Sequence, residues 1–117
     1  MCTVPQLSEL NLEGIDTVAI DLETYDPNLK TKGVGAVRKD GFVTGIAIAT
    51  KNQTFYFPIA HHMTENLNTK ETWAYLNEKV FQNKDIRKVF HNAMYDVCWI
   101  RSATGNMPQG ELLDTMI

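Results

Sequence analysis

The chain has 117 residues, 44% hydrophobic and 21% charged, which is enough and ordinary enough for one domain with one core. Its net charge of −3 argues against coating nucleic acid by bulk electrostatics, but not against gripping a strand locally through bound metal. No run approaches ~18 apolar residues, so no membrane span is expected. Met1-Cys2-Thr3-Val4-Pro5 lacks the basic start and apolar stretch of a signal peptide.

Taken in chain order, Thr17 to Leu22 reads as a buried strand that opens the domain. Tyr25 to Asp40, with Pro27, Gly33 and Gly35, is a polar connection expected as a loop or hairpin tip. Gly41 to Thr50 is a second strand, Lys51-Asn52-Gln53 a turn, and Thr54 to Pro58 a third strand forming a hairpin with the second. A helix is predicted over Thr69 to Gln82. Asn68 followed by Glu71 has capping-box spacing, and Trp73, Leu76 and Val80 share one apolar face. Arg87 to Phe90 is a short strand, and a helix begins at Asn92 or Ala93 and stops near Gly105. Leu112-Leu113-Asp114 is another strand, with Asp114-Thr115 poised to cap a third helix. The sum is an α/β fold: three antiparallel strands, then alternating helix and strand in a mixed sheet with packed helices.

Two segments carry chemistry. In Val18-Ala19-Ile20-Asp21-Leu22-Glu23-Thr24 the strand period puts Asp21 and Glu23 on one face, away from Ile20 and Leu22. Adjacent carboxylates repel unless a cation neutralises them, so this strand exit suits a divalent metal. Val89-Phe90-His91-Asn92-Ala93-Met94-Tyr95-Asp96 supplies a third carboxylate if its helix packs beside that strand. Read alone, the same residues have plainer uses: Asp21 and Glu23 as a polar strand end, Asn92 as an N-cap, Asp96 as a helix-dipole partner.

In order and separation, Asp21-Leu22-Glu23-Thr24 and Asn92-Ala93-Met94-Tyr95-Asp96 resemble the first and second motifs of the proofreading 3′–5′ exonuclease domains of family A DNA polymerases. These belong to the four-acidic-residue (DEDD) exonuclease superfamily. Asp26 to Pro58 and Leu113 to Ile117 resemble the bacteriophage members. The resemblance implies a ribonuclease-H-like fold, two Mg2+ or Mn2+ ions, a single-stranded DNA 3′ end as partner, and a polymerase domain in a longer parent chain. It makes Asp21 the ligand bridging both ions, Glu23 a ligand that also orients the attacking water, and Asp96 the holder of the second ion. Thr24 then lies near the terminal nucleotide, Asn92 contacts substrate or fixes the helix start, and Tyr95 sits close enough to touch a base. Family members carry a third motif, with a tyrosine or histidine and a fourth aspartate, and nothing after Asp96 plays that part. Asp114 corresponds to the start of the next helix. Either another chain completes the site or, as the favoured expectation, residues 1–117 are an exonuclease domain cut short before its third motif and poorly active alone. A stand-alone RNA exonuclease, or a non-catalytic module binding nucleic-acid ends or a partner, are the alternatives.

The remaining features have bland readings. Cys2 and Cys98 lack zinc-ligand or disulfide spacing and read as free thiols in a reducing cytoplasm. His61, His62 and His91 show no ligand spacing and read as surface or loop residues. Trp73 and Trp99 are expected to pack. Gly33-Val34-Gly35 lacks the third glycine of a dinucleotide loop. Lys30, Lys32, Arg38 and Lys39 form a solvated loop face or, near the first motif, a phosphate contact.

Overall fold

In the computed structural model, which describes residues 4–116, Val18, Ile20 and Leu22 are buried while Ala19, Asp21 and Glu23 alternate with them on the exposed face. That alternation is a strand with one face on the core, β1 (Thr17–Tyr25), which continues past the expected Leu22. The connection after it, expected as a loop or hairpin tip, holds two single-turn helices, α1 (Leu29–Lys32) and α2 (Gly35–Arg38). A single turn contains no hydrophobic repeat, so periodicity cannot reveal it. Local contacts fix these turns instead. The Gly35 N–H donates to Asp26 Oδ2 at 3.1 Å, and a Cβ on Gly35 would lie 2.0 Å from the Asp40 carbonyl oxygen. Arg38 donates to the Lys32 and Gly33 carbonyls and pairs with Asp40 at 2.9 Å, so its guanidinium staples the connection to itself.

The expected hairpin follows as β2 (Phe42–Ala49) and β3 (Thr54–Pro58). Helix α3 (Thr69–Leu76) is capped by Asn68, whose side chain accepts from the Glu71 N–H at 2.9 Å. Its continuation over Asn77–Phe81 widens into a π turn. Val80 and Phe81 are adjacent yet both fully buried, and the wider turn faces both toward the core. Next come β4 (Arg87–Phe90), α4 (Ala93–Thr104) with Gly105 in the left-handed conformation at its end, and β5 (Leu112–Asp114).

The five strands lie in the order β3-β2-β1-β4-β5. β1 is antiparallel to β2 and parallel to β4, and β4 is parallel to β5. Ile20, Ile46, Ile48 and Phe57 pack with Trp73, Leu76, Phe81, Trp99 and Ile100 in one core. The helices therefore cover the sheet face opposite to Asp21 and Glu23. Lys88 of β4 is fully buried, and its ammonium donates to the Asn83 and Gln109 carbonyls at 2.5 Å each. Burial pulls its pKa down. It ties the end of the π turn to the segment leading into β5. Cys98 is a free thiol, whereas Cys2 lies outside the described residues. Among the described residues no helix is long and apolar enough to cross a membrane.

Candidate functional site

The central strand sets the site. From β1 the chain builds outward first through β2 and β3, then on the other side through β4 and β5. β1 and β4 pair only from Thr17–Ala19 against Arg87–Val89, and beyond Ala19 they part. Such a divergence at the carboxyl ends of parallel strands is where open α/β sheets place ligands. Asp21 and Glu23 stand on β1 just past the split, and α4 starts beside it.

Asp96, in the first turn of α4, is only 4% exposed. Burial, and next the negative charge of Asp21, push its pKa up to about 6, while a hydrogen bond from the Leu22 backbone opposes the rise and Asp114 adds to it. The two carboxylates of the separate motifs are thus close enough to repel. Glu23 has a different partner, its Oε2 accepting from the Tyr56 hydroxyl at 3.1 Å. Among the described residues no three His, Cys, Asp or Glu side chains are drawn together tightly enough to hold a metal ion. The structure therefore brings Asp21 to Asp96 and leaves Glu23 in the grip of Tyr56. All three donors are carboxylate oxygens, and the Asp21–Asp96 pair is one whose repulsion a divalent cation would relieve, so the donor set fits magnesium or manganese in kind.

The other expected site residues have different partners. Asn92 occupies the N-cap position of α4, but its side chain makes no cap bond. Its backbone is at φ 143°, in the region that favours glycine. Capping falls instead to Asp114, whose Oδ2 accepts from the Ala93 N–H at 3.0 Å while Oδ1 accepts from the Met116 N–H at 2.9 Å. These bonds hold the Asp114 carboxyl below its ordinary pKa. The residue expected to open a later helix thus closes the start of α4 from β5. Thr24 and Tyr95 meet each other, hydroxyl to hydroxyl at 2.7 Å, and the Tyr95 O–H donates to Asp26 Oδ2 at 3.1 Å. A phenol has one proton, so Thr24 is the donor to Tyr95. This chain of hydroxyls locks α4 to the end of β1 and, through Asp26, to α2.

A register shift between Glu23 and Thr24 bends the strand end, and a groove of about 510 Å³ opens there, lined by Glu23, Thr24, Tyr25, Phe42, Thr44 and His61 among others. Tyr25 and Phe42, both about half exposed, pack ring to ring at 5.3 Å on one wall. His61 and His62, also in the groove's lining, stack at 5.2 Å. On the sheet floor a hollow of about 290 Å³ lies over Asp21, Ala47, Ala49 and His91. A larger hollow between α3 and the end of α4 contains neither Asp21 nor Asp96. Tyr56, Asp26 and the capping role of Asp114 are the functional neighbours that sequence reasoning misses. For Tyr56 a signal existed: the hairpin register puts it on the same face as Asp21 and Glu23.

A sequence model of the 3′–5′ exonuclease family matches residues 5–117. The DNA-directed DNA polymerase of Pseudomonas phage M6 is 43% identical over 82 residues, which are 66% of this chain and 12% of that polymerase. The chain therefore matches only a small part of that relative's length. Among solved structures, RNase D of Trypanosoma brucei in complex with RNA is 20% identical with a TM-score of 0.68, over 88% of this chain and 31% of that one. The catalytic core of RRP6 from the same organism is 27% identical with a TM-score of 0.61, over 89% and 24%. NrnC of Brucella melitensis, solved with bound Mg2+, is 24% identical with a TM-score of 0.55, over 85% and 42%.

Proposed function

This chain belongs to the 3′–5′ exonuclease family of family A DNA polymerases, and from that premise we propose that it trims mispaired nucleotides from a single-stranded DNA 3′ end for a polymerase domain in the same longer polypeptide. The observation that carries the reading is the Asp21–Asp96 pair at the strand split, beside an aromatic-walled groove. Asp21, Glu23 and Asp96 are the residues that would hold magnesium or manganese. When bound, these ions supply the positive charge that polarises water and stabilises a displaced phosphate oxygen. Asp96, held by α4, presents its carboxylate beside Asp21, and Glu23 offers the oxygen that Tyr56 leaves free. The groove walls give planar surfaces on which unpaired bases stack, a sequence-tolerant mode of binding. Thr24 and Tyr95 act by holding α4 against β1 rather than by offering free hydroxyls to the nucleotide. We place the chain in the cytoplasm, in keeping with the free thiol of Cys98.

On this reading Asp21, Glu23 and Asp96 are three of the family's four carboxylates, so this chain alone should turn over slowly, and a longer chain that reaches the third motif should recover activity. Losing a ligand and the group that orients water is worth several powers of ten, at ~1.4 kcal/mol per tenfold. The test is release of mononucleotides from 3′-labelled single-stranded DNA with manganese or magnesium. Any turnover should vanish in Asp21→Ala, and turnover that survives this substitution refutes the assignment. A ribonucleotide end is the second reading, favoured by the fold shared with RNase D and RRP6. The same assay on RNA of matched sequence separates the two.

A further inference from the structure

Tyr56 stands on β3, two strands away from Glu23, yet its hydroxyl reaches that carboxylate. The register explains how. Tyr56 is paired with Ala47, which is paired with Asp21, while Glu23 is paired with Gly45. The phenol therefore crosses the sheet diagonally, and its path runs over Gly45. A Cβ on Gly45 would lie 2.0 Å from the Tyr56 oxygen and 2.2 Å from its ring carbon Cζ. The missing side chain is what lets the ring lie flat over β2. Ala47 and Ala49 keep the rest of that strand low on this face. His61 packs edge-on against the Tyr56 ring at 6.0 Å. A phenol has one proton to give, and here it is given to Oε2, leaving Oε1 of Glu23 without that partner.

We propose that Tyr56 is a positioning residue: laid over Gly45, its hydroxyl fixes the Glu23 carboxylate so that one oxygen is held and the other is presented to a divalent cation. The inference rests on Glu23 being a metal ligand. Carboxylates that bind metal are commonly oriented in this way by a hydrogen bond from a neighbouring group, and loss of such a partner weakens metal affinity 10- to 100-fold.

The test is manganese affinity by titration calorimetry on the chain as it stands, with melting in EDTA as the control for folding. Tyr56→Phe keeps the ring and removes only the hydroxyl, and should weaken manganese binding at least about tenfold with little change in metal-free melting. In a Glu23→Gln background the same Tyr56→Phe change should have no further effect on affinity. Gly45→Ala reaches the same end by another route, by pushing the ring aside, and should not add to Tyr56→Phe when the two are combined. Unchanged or tighter binding in Tyr56→Phe, while Glu23→Gln weakens it, overturns the proposal alone. If Glu23→Gln leaves affinity intact while Asp21→Asn abolishes it, the metal role of Glu23 falls and the positioning role falls with it. An equal loss from Tyr56→Phe with and without the Glu23 carboxylate shows that the tyrosine acts through something else, and this too overturns it.

Discussion

Removing the charge of Asp96 should stabilise the metal-free protein at neutral pH and leave it unaltered in acid. The Asp96 carboxyl sits at about 6 in the folded chain against 3.8 for an unperturbed one. The folded state therefore binds a proton between these two values that the unfolded state releases. The stability this group lends is full below 3.8 and is lost as pH rises through about 6. At ~1.36 kcal/mol per pH unit the loss approaches ~3 kcal/mol. Asp96 is buried, so solvent screening takes little from that figure. Asp96→Asn keeps the shape and an acceptor for the Leu22 backbone but has no charge to bury. Its advantage over the parent should be negligible near pH 4 and reach ~3 kcal/mol by pH 7, a melting shift on the order of 10 °C for a domain this small. Thermal or urea melts of both proteins in EDTA, stepped from pH 4 to 8, measure it. Asp114, with its lowered pKa, gives a slope of opposite sign in acid, but both proteins share it and it cancels in the difference. Stability curves that run parallel across this range would show that Asp96 is not a buried charge facing Asp21.

Two further outcomes follow from the packing. Lys88→Met leaves the Asn83 and Gln109 carbonyls without their buried donor, and should lower stability by about 1–3 kcal/mol. Hydrogen exchange should then quicken first along β5, and an unmoved urea midpoint refutes the tether. Asn92→Gly relieves a backbone at φ 143° and should raise stability by about 0.5–1 kcal/mol, whereas Asn92→Val should lower it. Melting of the two variants beside the parent decides it, and a loss in both would mean that the asparagine side chain matters more than its backbone.

The strand period placed Asp21 and Glu23 together, and the order of elements put Asp96 near the same sheet, because both are consequences of local pattern. The hairpin, the caps at Asn68 and Gly105, and the core around Trp73 were legible for the same reason. What stayed hidden depends on groups distant in the chain. Asp114 serves α4 from 21 residues away, and Tyr56 finds Glu23 across 33. The Asp114 cap leaves no trace in spacing, and Tyr56 shows only the shared face that the hairpin register gives it. The α1 and α2 turns escaped because their stability comes from Asp26, Asp40 and a side-chain-free Gly35 rather than from any repeat. Asn92 misled for a related reason: it has the right identity and position for a cap, but with its backbone at φ 143° its side chain makes no cap bond.

The capping of α4 by Asp114 also dates the assembly of the site. As the nascent chain emerges, the antiparallel ladder of β1, β2 and β3 can form early, since both strands of each of those two pairings lie within the first 58 residues. The helix bearing Asp96 cannot be closed at its start until β5 has been made and has zipped onto β4. Asp21 and Glu23 then stand exposed on the finished ladder before the start of α4 is closed and Asp96 is fixed beside Asp21. A growing polypeptide would hold no competent pair of motifs until translation has passed Asp114. Conditions that slow β5 docking would delay the closing of α4 beside Asp21, and with it any metal uptake of the kind proposed above, without disturbing the hairpin.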